Sequence, residues 1–392
     1  MSNEERIPLW RDERVLKIAG QVAVVLILAA LISWLASNLV QNYQSRNLSF
    51  GFEFLVDEDR PASFGIGDTP IPYSPTNTFG RALLVGFLNS LRVMIVGIIL
   101  ATIIGIIAGI ARLSDNWLVR QISTVYVEVF RNTPLLLQLF FWYFALFLKL
   151  PQIENRLELP GPIFLTNQGL ALPWPAINPQ TLLTALFLIA SAIAAVIIWR
   201  RRTALIVQQG ASGTLFQWML VGLAIAAILA IIFGFDWQQP ELTTVNERAQ
   251  IQGGLNLSPE FGALLFGLTL YTAAFIAEVV RAGIQSVSKG QWEAAKALGL
   301  RPNLVMQLII FPQALRVMIP PLTSEFLNLA KNSSLATAIG YSDVYSVANT
   351  TANQTGASVQ MLLVVMATYL TINLIISLGM NVFNKSVQLK ER

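Results

Sequence analysis

The sequence predicts an all-α integral membrane protein of about eight transmembrane helices, with both termini on the cytoplasmic side. Three observations carry that prediction. Charged residues make up only 12% of the chain, against 54% hydrophobic ones, where a soluble domain carries about 25% charged residues. Apolar stretches nearly free of charge recur along it, each able to supply the roughly 20 residues that cross a hydrocarbon core. Lys and Arg also fall mainly into alternate connecting segments, which is the pattern that sets orientation in a membrane.

Residues 1–17 hold both signs of charge and form a cytoplasmic N-terminal segment. Residues 18–45 hold none, a run too long for the roughly 7–15-residue core of a cleaved signal. Residues 18–40 are therefore read as an uncleaved first span. An external loop, 41–80, follows. Further spans are expected at 82–111, 119–149, 180–199, 214–235, 260–281, 314–337 and 358–384. Two more long external stretches, 150–179 and 236–259, are read as ordered loops resting on the outer surface. Residues 385–392 are a cytoplasmic tail. With the N-terminus inside, seventeen Lys and Arg lie in cytoplasmic segments and six outside, where twelve acids gather. The net charge of +4 is thus a topology signal and argues against nucleic acid. The chain has no Cys and no His, so neither thiolate chemistry nor the commonest metal ligand and general base is available. No catalytic or metal-binding constellation is expected.

Six charges fall within or at the edge of the expected spans: Arg92, Glu128, Arg131, Glu278, Glu325 and Lys331. A charge at the bilayer centre costs about 2.5–3.5 kcal/mol on insertion scales, so each must pair, snorkel or face the bundle interior. Glu128 and Arg131 are three residues apart and can pair on one helix face. They form either a structural ion pair or a gate that breaks and reforms, and Arg92 and Lys331 belong to the same group. Glu278 and Arg281 repeat the spacing. Residues 325–337 carry Glu325, Asn328, Asn332, Ser333 and Thr337, a polar side that cannot face lipid. These groups are either helix–helix glue or the lining of a solute path. A carboxylate favours the path: Glu325 would accept an ammonium, and Asn332 and Ser333 would hold a carboxylate.

The segment 289–312 is the best-patterned polar loop. Lys289-Gly290 signals a turn, residues 291–298 form a short helix with Trp292, Ala295 and Lys296 on one side, and Gly299 stands at a left-handed C′ cap. Pro302 opens a second short helix. Ala294 and Ala295 leave room for a partner to approach closely. The alternative is a simple interfacial amphipathic helix.

Glu293-Ala294-Ala295, Gly299, Ile309 and Pro312 spell EAA-x3-G-x9-I-x-x-P, which resembles the signature of permease subunits of bacterial ABC importers. YVEVFRNTPLLLQ (126–138), FIAEVVRAGIQSV (275–287), FPQALRVMIPP (311–321) and KNSSL (331–335) are similar to the polar amino-acid uptake branch of that family. The resemblance covers about 80–149 and 260–384. It implies the type I ABC importer permease core of five helices, in two parts, 81–149 and 260–384, with the coupling loop at 285–312. Three extra spans, 18–40 and the two within 150–259, resemble those of long permeases for general or neutral L-amino acids. Implied partners are a homologous permease subunit in a heterodimer, two ATPase subunits and a periplasmic amino-acid-binding protein, all at the bacterial inner membrane. Lys289, Gly290, Gln291, Trp292, Glu293, Ala294, Ala295 and Gly299 would dock the ATPase, and Glu278 and Arg281 would stiffen the junction above. The chain has no GxxxxGK[ST] loop, so ATP and Mg belong to the partner ATPase and this chain is not itself an enzyme. It departs from the family pattern at Phe311, where Leu is usual, and at Asn332, where many relatives have Asp. The second departure fits neutral or mixed substrates better than purely cationic ones. Two rivals remain: an assembly subunit whose partner holds the solute site, and an ATP-independent secondary transporter.

Overall fold

The computed structural model describes residues 13–45, 50–209, 213–245 and 248–387. Most of the expected N-terminal segment (1–12) and the end of the tail (388–392) lie outside them. In chain order the helices are α1 (Glu13–Ser45), α2 (Phe79–Ala111), α3 (Trp117–Asn132), α4 (Leu135–Phe140), α5 (Pro179–Gln209), α6 (Thr214–Leu229), α7 (Pro259–Gln285), α8 (Lys289–Ala297), α9 (Pro302–Val305), α10 (Phe311–Asn332), α11 (Val344–Thr355) and α12 (Ser358–Val387). Among the described residues six are long and apolar enough to cross a membrane: α1, α2, α5, α6, α7 and α12.

The other two expected spans are built differently. Residues 119–149 break at Thr133, which is extended (φ −103°, ψ 131°) because the following Pro134 disfavours helical backbone. α4 restarts beyond it and loosens into a π turn at Phe141–Leu146. α10 begins on a π turn, Met306–Ile310, so the expected second short helix at Pro302 runs on into α10 instead of standing apart. It ends in a 3₁₀ run, Ser333–Ile339.

α2 and α7 form the centre of the bundle. Gly105 and Gly109 of α2 lie against Ile276, Ala277 and Val280 of α7. A Cβ on Gly109 would stand 2.6 Å from the Ala277 carbonyl oxygen, and one on Gly105 2.5 Å from Ile276 Cγ2. This small-xxx-small spacing lets two backbones approach where lipid supplies no hydrophobic drive. Met94, Ile276, Met318, Leu329 and Ile372 extend one core from this crossing through α10 to α12.

The stretches expected to be external loops hold short strands beside the helical bundle. β1 (Leu157–Leu159), β2 (Ile163–Thr166), β3 (Gly169–Leu172) and β8 (Leu255–Leu257) form an antiparallel sheet in that order. β4 (Trp174–Pro175) pairs with β5 (Trp237–Gln238), closing the root of the α5–α6 hairpin, and β6 (Glu241–Val245) pairs with β7 (Arg248–Gln252). Asn178 Nδ2 donates to Asp236 Oδ2 at 2.9 Å beside that root. α5 and α6 pack on each other and expose most of their remaining apolar surface. The sheet lies at the end of the bundle where α2 and α7 begin, and α8 at the opposite end.

Candidate functional site

α8 ends in a Schellman motif. Gly299 has φ +68°, its N–H donates to Lys296 O at 2.9 Å, and the Leu300 N–H reaches Ala295 O at 3.3 Å. Ala295 is only 1% exposed and, with half-buried Trp292, seats the helix on Val287, Val305 and Ile310. Ala295, expected to leave room for a partner, is thus covered by the chain itself, and Trp292, expected on the same side, lies beside it. The free face holds Lys289, Gly290, Glu293, Ala294 and Leu298, the last 77% exposed. Gln291 is exposed but accepts from Gln313 Nε2 at 3.3 Å, tying α8 to α10.

Above α8 lies an ion network. Arg281 Nε donates to Glu278 Oε2 at 3.0 Å, and its Nη2 grips Oε1. Arg112, at the end of α2, donates to Glu278 Oε2 at 2.5 Å and stands 3.6 Å from Glu128 Oε1. The expected Glu128–Arg131 pair does not form: Glu128 turns toward Arg112 and also accepts from Asn132 Nδ2 at 3.3 Å.

Arg131 points elsewhere. Its guanidinium lies over the Phe275 ring, 5.2 Å from the centroid, and within electrostatic reach of Glu325. Its buried Nε has no hydrogen-bond partner among the described residues. The Asn328 amide supports the Glu325 carboxylate, and Tyr271 lies within its field. Tyr271 and Phe275 lie ring to ring at 4.9 Å. α3, α7 and α10 thus bring a cation, a carboxylate, an amide and two aromatic rings to one partly exposed face. Lys331 is exposed further along α10 and has no ion-pair partner among the described residues.

The expected path residues separate here. Ser333 is buried, donating to Ala330 O at 2.8 Å, and Thr337 reaches Asp343 Oδ1 at 3.5 Å. Asp343 also accepts from Tyr369 Oη at 3.2 Å and caps α11 through Ser346 N–H at 2.8 Å. Ser333 thus bonds within its own helix and half-buried Thr337 bonds toward Asp343. Asn332 is half-buried between the two groups.

A family model described as binding-protein-dependent transport system inner membrane component matches residues 101–389. The chain belongs to that family. This inner membrane component is 42% identical over 389 residues to the general L-amino acid transport system permease protein AapQ of Rhizobium johnstonii, covering 97% of this chain and 94% of that one. It is 42% identical over 414 residues to the glutamate/glutamine/aspartate/asparagine transport system permease protein BztB of Rhodobacter capsulatus, covering 97% and 96%. A crystal structure of an amino acid ABC transporter with histidines aligns with a TM-score of 0.47 at 19% identity, covering 79% of this chain and 95% of that one. The family resemblance carried by the EAA motif and its neighbours is thus borne out, as is the inner-membrane location.

Four residues of these contacts escape sequence reasoning. Arg112 reads there only as a topology marker, although its place at the end of a span, one long side chain from Glu278, was a usable signal. Tyr271 and Phe275 are two aromatics among many. Asp68, in the segment before α2, is the partner that Arg92 requires: Arg92 Nη2 donates to it at 2.9 Å, as does Ser258 Oγ. Ser258 in turn caps α7 through Phe261 N–H at 3.1 Å. Burial pushes the Asp68 carboxyl above its ordinary value, against the opposing pull of Arg92 and Ser258. No spacing rule joins Asp68 to Arg92.

Proposed function

We propose that this permease moves L-amino acids of neutral or mixed type across the inner membrane, by alternating access driven by ATP hydrolysis on a separate subunit. The observation that carries this reading is the face made by Arg131, Tyr271, Phe275, Glu325 and Asn328. A zwitterion needs an acceptor for its ammonium and a donor for its carboxylate. Glu325 supplies the first, the guanidinium of Arg131 the second, and the rings supply apolar walls for a side chain. The names of the relatives, which specify general L-amino acids or glutamate, glutamine, aspartate and asparagine, support the same solute class.

Nucleotide chemistry belongs to a partner that seats on the free face of α8. Two ATPases and a homologous permease complete the complex, and a periplasmic binding protein delivers the solute. ATP binding moves α8 as a lever, and the polar face opens to one side or the other. The two states must differ in their contacts for this coupling to exist. A second reading, in which the partner permease holds the solute, gains support from the inward turn of Ser333 and Thr337. Uptake competition with a panel of amino acids, in vesicles holding all subunits and either wild-type chain or Glu325→Gln, decides between them. A raised KM with basal ATP hydrolysis intact supports a site on this chain. Unchanged kinetics moves it to the partner.

A further inference from the structure

The ion network above α8 has a geometry that a simple helix-end pair would not need. Its members stand on three helices. Glu278 is on α7, two turns before α7 ends at Gln285, and Gln285 accepts from Arg281 Nη1 at 2.5 Å. α8 begins at Lys289, immediately beyond. Arg112 closes α2, is only 12% exposed, and reaches carboxylates on two other helices, Glu278 on α7 and Glu128 on α3. α3 is held to its neighbours twice more, by Ser123 Oγ on Ala108 O and by Tyr126 Oη on Leu270 O, both at 2.7 Å. Three residues beyond Glu128, the same helix carries Arg131, the cation that faces Glu325. A continuous run of contacts therefore leads from the root of the docking helix to the solute face, and Arg112 is the member shared by all three helices.

We propose that Arg112 is the positioning residue of this run. It makes the end of α2, the base of α7 with its docking helix, and α3 with Arg131 move as one body, so that displacement of α8 repositions Arg131 against Glu325. A planar guanidinium suits the task because its fork serves two carboxylates on different helices at once, which the point charge of lysine does less well. The crossing of α2 and α7 at Gly105 and Gly109 holds the two helices at the distance the fork requires. This inference rests on the proposed ATP-driven reading, and its test separates the two.

The complete complex is reconstituted with wild-type chain, Arg112→Gln or Arg112→Lys. The amino acid moved per ATP hydrolysed is measured alongside basal hydrolysis and co-purification of the subunits. Arg112→Gln is expected to lower the transport ratio at least about tenfold, with basal hydrolysis and assembly retained. Arg112→Lys should fall between it and wild type. An unchanged ratio in Arg112→Gln overturns the proposal. So does loss of assembly in both variants, which would make the role purely structural. The chain's lack of Cys allows a second measurement with spin labels at Ser288→Cys, before α8, and Leu118→Cys, on exposed α3 surface. The label distance should be narrow and equal in nucleotide-free and ATP-trapped complexes, and broadened by Arg112→Gln in both. A wild-type distance that changes on trapping, or no broadening, contradicts the joint. If the wild-type complex imports nothing with ATP, the functional reading fails. The nucleotide-free label distribution still decides whether Arg112 joins these helices.

Discussion

Asp68 and Arg92 illustrate the cost of charge in this molecule. The carboxylate is buried, and its desolvation outweighs the help it receives from Arg92 and Ser258, so its acid form is favoured more than in water. A carboxyl with a raised folded pKa stabilises the fold most below its unfolded pKa of 3.8, and that contribution is lost as pH rises through the folded value. Near neutral pH the pair is therefore costly to bury, yet breaking it by one partner strands the other. Asp68→Asn is expected to destabilise the permease by about 3–5 kcal/mol, as for other half-broken buried pairs, whereas Asp68→Asn with Arg92→Leu should recover most of the loss. Thermal unfolding of the purified chains measures both. Under the proposed function Glu325 belongs to the other kind of charge, one kept for a ligand. Glu325→Gln should raise the KM for amino acids at least about tenfold, the worth of one charge-assisted hydrogen bond, and leave basal ATP hydrolysis unchanged.

Gly299 sets where α8 ends. No heavy atom lies within 4 Å of where its Cβ would stand, so a substitution there meets only the backbone penalty of φ +68°, about 1–2 kcal/mol for an ordinary L-residue. Gly299→Asn should retain ATPase binding and uptake, since Asn adopts this conformation readily, while Gly299→Val should weaken both about tenfold. Co-purification of the ATPase with each variant checks this. Local rules made this element legible in sequence: a helix former, a left-handed cap and a proline follow one another within a few residues. The facing of α8 was not legible, because Trp292 and Ala295 turn inward only once Val287, Val305 and Ile310 are beneath them. The break at Thr133 lay in plain view as a residue before proline, but the apolar run on both sides outweighed it. The Glu128–Arg131 pair failed for a related reason. Spacing showed that the two can meet, and only the packing of α2 against α3 shows that Arg112 meets Glu128 instead.

Across the whole molecule, α1, α2, α5, α6, α7 and α12 were legible from hydropathy. The sheet was not, because β3 pairs with β8 across the α5–α6 insertion, and pairing at that separation leaves no local period. The insertion predicts its own independence. α5 and α6 pack on each other, and Asn178 and Asp236 meet at its root. Replacing residues 179–235 with a short turn should leave the bundle folded, with a thermal transition within about 1 kcal/mol of wild type, as for changes that share no contacts with the core. The central claim concerns the bundle as a machine: work done on α8 by another subunit opens the face at Arg131 and Glu325. Its most direct test is uptake of labelled L-amino acids into proteoliposomes that hold the complete complex, with and without ATP, for wild-type chain and Glu293→Lys on the free face of α8. Uptake that requires ATP and falls at least about tenfold in Glu293→Lys, with the paired permeases still assembled, is the predicted result. Uptake without ATP, or equal uptake by the Glu293→Lys complex, would contradict it.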